Sequence, residues 1–211
     1  MGVRASGRGQ GQSAGTFNKF NINKGKIVMD SKESKYLAAG LKKIIVSEEE
    51  IRGIISRMAE EITRDYSGRK LLICGILKGC FIFIADLVRQ LDFPVEISFI
   101  KASSYGSGSV SSNDIKVTEF KDLDDYKEDY DILVVDDILD TGNTFCYLRE
   151  YLRDKGFKNV NFCALLDKPE RRESEVSAKY IGKQIENEFV VGYGLDFDEK
   201  YRNLPFVAAI K

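Results

Sequence analysis

Apolar positions recur along the chain with two different spacings. Ile51, Ile54, Ile55, Met58 and Ile62 fall three and four residues apart, the spacing of one buried helix face. Ser47-Glu48-Glu49-Glu50 precedes them as a capping box, with Ser47 as N-cap and Glu50 three residues on. That helix is expected to stop near Ser67-Gly68. Leu71–Leu77 is instead a short apolar run ending in Lys78-Gly79, the pattern of a buried strand running into a loop. Phe81–Leu91 predicts a second helix, Val95–Ile100 a strand, Lys101–Asn113 a loop of small residues around Tyr105, and Ile115–Val117 a short strand. The acid-dense stretch Lys121–Asp131 reads as a solvated connector. Ile132–Val135 predicts a buried strand. Thr144–Lys155 predicts a helix with Phe145, Leu148 and Leu152 on one face and Gly156 as its stop, and Val160–Leu166 and Phe189–Tyr193 predict two more strands. Strands alternating with helices predict an α/β fold around a mostly parallel sheet. No internal repeat is visible.

Composition narrows the function classes. With 211 residues, 43% apolar and 31% charged, the chain is expected to pack one domain, or one with a small attachment. Its 32 basic and 33 acidic residues leave a net charge of −1, which excludes a general nucleic-acid binder and leaves room for a local phosphate site. The longest strongly apolar run, Cys80–Ala85, is too short to span a bilayer, so a soluble, cytoplasmic protein is expected. Cys74, Cys80, Cys146 and Cys163 form no C-x-x-C pair and read as buried reduced thiols. There is no histidine, which removes Ser-His-Asp and Cys-His catalysis and leaves acid–base work to carboxylates, Lys or Tyr.

Met1–Met29 contains no acidic residue, and residues 1–16 hold five glycines. Residues 1–28 are therefore expected to be a disordered leader. A transit peptide is one reading, an expression or start-site artefact with Met29 as the true start another. Residues 29–211 are expected to form a single domain.

The richest stretch chemically is Val134-Val135-Asp136-Asp137-Ile138-Leu139-Asp140-Thr141-Gly142-Asn143-Thr144. In open α/β sheets, ligands sit beyond the carboxyl ends of the strands. Here a buried strand delivers two acids to that edge, and a loop with one Gly and two Thr leads directly into a helix. Helix N-terminal N–H groups attract phosphate, Gly142 permits close backbone approach, and Thr141 and Thr144 add hydroxyl donors. Asp136 and Asp137 suit hydroxyl groups or a metal, and Asp140 is placed to act beside a phosphate-bearing sugar. The plain alternative is an acidic N-cap with no ligand.

This stretch resembles the phosphoribosyl-diphosphate signature of type I phosphoribosyltransferases; it is not a P-loop, since no G-K-[ST] follows. Four further stretches are similar to the hypoxanthine-guanine phosphoribosyltransferases, particularly their bacterial form. They are Leu77-Lys78-Gly79; Ser103-Ser104-Tyr105-Gly106; Leu165 through Arg172; and Phe189 through Asp196 with Tyr201 through Pro205. The resemblance runs from about Ile45 to Ile210. It implies a mostly parallel sheet flanked by helices, with a small hood built from N- and C-terminal segments. It implies purine salvage: a 6-oxopurine displaces diphosphate from phosphoribosyl diphosphate with Mg²⁺, giving IMP or GMP. A dimer or tetramer follows from the same likeness.

The resemblance also implies roles. Asp136 and Asp137 hold the ribose hydroxyls near a bound Mg²⁺, and Thr141, Gly142, Asn143 and Thr144 hold the 5-phosphate. Lys78, Gly79 and Arg202 meet diphosphate, and Asp196 coordinates Mg²⁺. Lys168 donates to the purine O6, Phe189 stacks on the ring, and Val190 offers its carbonyl. Ser104 and Tyr105 belong to a mobile loop. Asp140 takes the purine N7 proton, a role that burial would favour by raising its carboxyl. Two positions depart from the usual pattern: Asp136 stands where Glu is commoner, and Asn143 is a variant of bacterial type. A sensor of phosphoribosyl diphosphate with the same fold, and an enzyme preferring xanthine, are the competing readings.

Overall fold

A computed structural model describes residues 21–23, 26–28, 36, 40–104, 115–120 and 122–210. The chain divides into two units, residues 1–39 and 40–211. In the first, β1 (Asn21–Asn23) and β2 (Lys26–Val28) pair antiparallel, with Ile22 opposite Ile27. This hairpin lies inside the expected leader; the rest of residues 1–28 falls outside the described residues.

The second unit begins with β3 (Leu41–Val46), followed by α1 (Glu48–Tyr66), β4 (Leu71–Leu77), α2 (Phe81–Val88), β5 (Glu96–Ser104) and β6 (Ile115–Glu119). Then come β7 (Asp131–Leu139), α3 (Asn143–Asp154), β8 (Val160–Asp167), β9 (Tyr180–Gln184), β10 (Val190–Val191) and β11 (Val207–Ile210). The central sheet has the order β6-β5-β4-β7-β8-β9, parallel throughout except for the edge strand β6. This is the α/β architecture the alternation predicted.

The unbroken apolar runs have a simple cause. Successive strand residues face opposite sides of a sheet, and both sides here are covered. Leu71, Ile73, Leu133, Val135, Cys163 and Leu165 face α1 and α2, packing against Ile55, Met58, Ile62 and Phe83. Leu72, Cys74, Ile132, Val134, Phe162 and Ala164 face α3, packing against Phe145, Leu148 and Leu152. A smaller antiparallel sheet, in the order β10-β11-β3, joins the first of these clusters through Val46, Val190 and Val207.

Helix α1 carries the expected cap: Glu50 N–H donates to Ser47 Oγ at 3.2 Å and Ser47 N–H to Glu50 Oε2 at 2.9 Å. Several boundaries differ from the sequence pattern. Helix α2 ends at Val88, three residues short of Leu91. Strand β5 continues through Lys101–Ser104, because β6 pairs with it as far as Ser104. Within the expected connector Lys121–Asp131, Leu123 and Tyr126 are buried around a 3-10 turn. Asp131 opens β7, buried and ion-paired with Arg69 at 2.6 Å. Phe189–Tyr193 does not join the parallel sheet; its strand residues Val190–Val191 pair with β11. Strands β3, β9 and β11 had no sequence signal assigned. Cys74, Cys80 and Cys163 are buried, whereas Cys146 is partly exposed, a departure from the uniform burial expected. No helix among the described residues is long and apolar enough to cross a membrane.

Candidate active site

Strand order reverses at the middle of the sheet. The chain passes from β4 to β5 on one side, then returns to place β7 on the other side of β4. Connections at the carboxyl ends of β4 and β7 therefore leave in opposite directions and open a crevice. The β4 end carries Lys78 and Gly79, preceded by a cis Leu77–Lys78 peptide. The β7 end carries the acids and the T-G-x-T loop.

A cleft of about 290 Å³ lies there, lined by Lys78, Gly79, Asp137, Asp140, Lys168, Phe189, Val190, Asp196 and Arg202, with Ile138 and Leu195. Nine predicted site residues from four stretches of sequence thus meet in one cavity. Asp136, Thr141, Gly142, Asn143 and Thr144 do not line it; they adjoin it on the β7–α3 segment. Ser104 ends β5, and Tyr105 lies outside the described residues.

Strand β7 runs past Val135 to Leu139, because β8 continues the ladder to the Leu139–Asp167 pair. Asp136 and Asp137 are therefore strand residues, pointing to opposite faces. The Asp137 N–H donates to Asp136 Oδ1 at 2.9 Å. Burial pushes both carboxyls up. At Asp136 the charge of Asp137 adds to this; at Asp137 the guanidinium of Arg202 opposes it.

Two helices start at this crevice, and neither carries a side-chain cap or an acid in its first turn: α2 after Cys80 and α3 after Gly142. Helix α1, by contrast, has its capping box and three acids. The first N–H of each has a local partner, Phe81 N–H the Lys78 carbonyl at 3.3 Å and Asn143 N–H Thr141 Oγ1 at 3.4 Å, and the positive dipole end with the N–H groups that follow suits anions. Gly142 sits at φ 89°, a left-handed backbone that makes the turn into α3.

Asp140 does not become buried, as its proposed role would have favoured. Its side chain is 38% exposed and ion-pairs with Arg171 Nε at 3.0 Å. Beside it, Lys168 is only 7% exposed; its backbone N–H donates to the Leu139 carbonyl at 2.9 Å, and its ammonium makes no ion pair or hydrogen bond among the described residues. Burial holds its ammonium below the usual lysine range, against the opposing pull of Asp140. Phe189 is a large aromatic left 57% exposed, its ring edge-to-face with Phe197 at 5.7 Å. Buried Val190 follows it in the ladder with Ala209.

A match to the phosphoribosyl transferase domain covers residues 43–198. The chain belongs to the phosphoribosyltransferase family. A hypoxanthine-guanine phosphoribosyltransferase of Staphylococcus aureus is 41% identical over 171 residues, covering 81% of this chain and 94% of that protein. A Listeria monocytogenes protein named bifunctional protein TilS/HprT is 43% identical over 171 residues, 81% of this chain but 26% of its own length. The chain thus spans about a quarter of that longer relative. The crystal structure of a Bacillus anthracis hypoxanthine-guanine phosphoribosyltransferase, with HEPES in its active site, superposes with a TM-score of 0.75 at 40% identity, covering 81% of this chain and 99% of that one. A Staphylococcus aureus hypoxanthine phosphoribosyltransferase gives a TM-score of 0.76 at 40% identity, over 87% and 96%.

In this phosphoribosyltransferase the predicted site residues also contact residues to which the sequence assigned no role. The segment after β8 braces the T-G-x-T loop: Glu173 N–H donates to Thr141 O at 2.9 Å, and Asn143 Nδ2 to Glu173 Oε2 at 3.3 Å. Ser174 Oγ donates to Asn143 Oδ1. Arg172 clamps the Asp140 carbonyl and the buried Asp167 carboxylate together. The Leu165–Arg172 motif contained these arginines, but nothing in their spacing named their partners. Glu199 was missed as well. Its carboxylate accepts from Lys78 Nζ at 3.0 Å and from Arg202 at 3.3 Å, and those cations hold it below the usual carboxylate range.

Proposed function

We propose that this enzyme transfers the 5-phosphoribosyl group of phosphoribosyl diphosphate to hypoxanthine or guanine, giving IMP or GMP and diphosphate. The observation that carries the reading is Lys168, a residue buried along most of its length whose ammonium lines one cleft with Asp140, Phe189 and Asp137 and makes no ion pair or hydrogen bond among the described residues. Burial strips part of the water from this ammonium, and the O6 acceptor of a 6-oxopurine supplies a hydrogen bond in its place. The 6-amino group of adenine leaves it unpaired.

The remaining roles follow from position. Phe189 offers its exposed face to the purine ring, and Val190 its backbone carbonyl. The first turn of α3, with Thr141 to Thr144, takes the 5-phosphate. Asp136 and Asp137 accept from the ribose hydroxyls. Lys78, the Gly79 backbone and Arg202 meet the diphosphate as it gains negative charge. Purine N9 attacks C1, the bond from C1 to the diphosphate oxygen breaks, and Asp140 takes the proton at N7. Ser104 and Tyr105 are assigned to excluding water from the positive sugar centre; Tyr105 lies outside the described residues.

No three carboxylate, Cys or His groups converge to cage a metal among the described residues. Separate carboxylates, Asp196 by Arg202 and the Asp136–Asp137 pair, fit Mg²⁺, which keeps waters and takes one or two carboxylates plus substrate oxygens. When bound, Mg²⁺ neutralises charge on the diphosphate oxygens.

The test is a spectrophotometric assay with phosphoribosyl diphosphate and Mg²⁺, offering hypoxanthine, guanine, xanthine, adenine and uracil separately. Turnover on hypoxanthine or guanine, abolished by EDTA, is expected. Preferred use of adenine or uracil would overturn the reading.

A further inference from the structure

The two cations assigned to diphosphate already hold a carboxylate. Lys78 Nζ donates to both oxygens of Glu199, at 3.0 and 3.1 Å. The Arg202 guanidinium reaches Glu199 Oε2 at 3.3 Å while pairing with Asp196 Oδ1 at 2.8 Å. A further donor of that guanidinium goes to the Gly194 carbonyl at 2.8 Å, and its buried Nε has no partner. The local backbone presents Glu199 for this contact. Asp198, Glu199 and Tyr201 all take left-handed φ values, of 52°, 59° and 74°. Phe197 and Lys200 exchange N–H···O bonds across the turn, and Asp196 Oδ2 accepts the Glu199 N–H at 2.9 Å. Lys78 and Glu199 reach each other across 121 residues of sequence, so the contact is made by the fold and not by chain neighbourhood.

We infer that Glu199 is an internal competitor for the diphosphate subsite: its carboxylate takes Lys78 and Arg202, and diphosphate binds there only by displacing it. The inference rests on the reading of Lys78 and Arg202 given above. A carboxylate and a phosphate are both anionic acceptors for the same donors, and like charges prevent them from sharing the pair. Side chains of Lys78 and Glu199 are 60% and 65% exposed, so the contact is screened by water and weak enough to give way. It lowers affinity for diphosphate, and its re-formation accompanies diphosphate release. Glu199 thereby sets how tightly the product is held without touching the purine end of the cleft.

The experiment measures diphosphate binding by calorimetry, in EDTA and again with Mg²⁺, for wild type, Glu199→Gln and Asp198→Asn. Glu199→Gln keeps the side-chain shape and removes the charge. Asp198→Asn removes the same charge one residue away, from a carboxylate that pairs with Lys200. The expected result is roughly twofold to fivefold tighter diphosphate binding for Glu199→Gln. IMP affinity should stay unchanged in that variant, because IMP carries no diphosphate. Asp198→Asn should stay near wild type. Unchanged or weaker diphosphate binding in Glu199→Gln overturns the inference, and so does equal tightening in Asp198→Asn, which would mark a general field effect. If either occurs while wild type still turns over hypoxanthine, only this inference falls. If wild type binds neither diphosphate nor phosphoribosyl diphosphate, the functional reading falls and takes the inference with it.

Discussion

Asp137 packs its carboxylate so closely over Gly79 that a Cβ on the glycine would lie 1.6 Å from Oδ2. The other side of Gly79 is equally closed: a Cβ on Gly194 would lie 2.0 Å from the Gly79 carbonyl oxygen. Gly79 and Gly194 thus meet at backbone contact while the Asp137 carboxylate covers Gly79, so a side chain at Gly194 must push two backbones apart and one at Gly79 must displace the carboxylate. Gly79→Ala is expected to cost about 1–3 kcal/mol of stability. It should also weaken phosphoribosyl diphosphate binding at least tenfold, because the shift moves both Asp137 and the Lys78 loop. Calorimetry of binding beside thermal denaturation checks this, and a variant binding as tightly as wild type would refute it.

Asp140 stands at the end of β7 with its carboxylate held by Arg171. Asp140→Asn keeps the shape and loses the proton acceptor. Turnover should fall by roughly two orders of magnitude or more, with binding of phosphoribosyl diphosphate retained. Steady-state kinetics decide; unchanged turnover would remove Asp140 from the chemistry.

Lys168 is the proposed reader of the purine O6. Lys168→Ala should raise KM for hypoxanthine by roughly 10- to 100-fold, the scale of a lost hydrogen bond to a charged donor. Binding of phosphoribosyl diphosphate should change little. Parallel losses for both substrates would count against a base-specific role.

Glu50 offers a pH test of stability remote from the cleft. Hydrogen bonds from Ser47 and the ammonium of Lys183 hold its carboxyl at about 2, against an ordinary 4.5. A carboxyl lower in the folded chain than in the unfolded one stabilises fully above the unfolded value, and loses that contribution as pH falls toward the folded value. Glu50→Gln keeps an acceptor for the Ser47 N–H and loses the charge, so it should destabilise by about 0.3–1 kcal/mol at neutral pH, the scale of an acid at a helix N-terminus with an exposed ion pair. The difference from wild type should shrink as pH falls from about 4.5 to about 2. Denaturant titrations across that window measure it, and a gap that stays constant with pH would contradict the assignment.

Much of this protein was decided locally and was legible in the chain. The capping box at Ser47, the period of Ile51 to Ile62 and the apolar run Leu71–Leu77 specify their elements through contacts a few residues apart. Alternation of strands and helices was enough for a parallel sheet, and the acids with T-G-x-T marked where its ligand edge lies. Boundaries set by partners were not legible. Strand β7 continues through Asp136 and Asp137 only because β8 lies beside it, and Phe189–Tyr193 leaves the main sheet because β11 pairs with Val190 and Val191.

The sequence by itself determined which chemical groups this phosphoribosyltransferase carries and roughly where each falls along the chain, because side-chain type and short-range spacing are properties of the chain alone. Only the tertiary structure decided their company. It buried Lys168 with its ammonium toward the cleft, gave Asp140 to Arg171 instead of burying it, and set Glu199 on the cations Lys78 and Arg202. Burial and ion pairing act through space over a few ångströms, and residues as far apart as Lys78 and Glu199 reach that range only when the sheet and the turn after β10 bring them together.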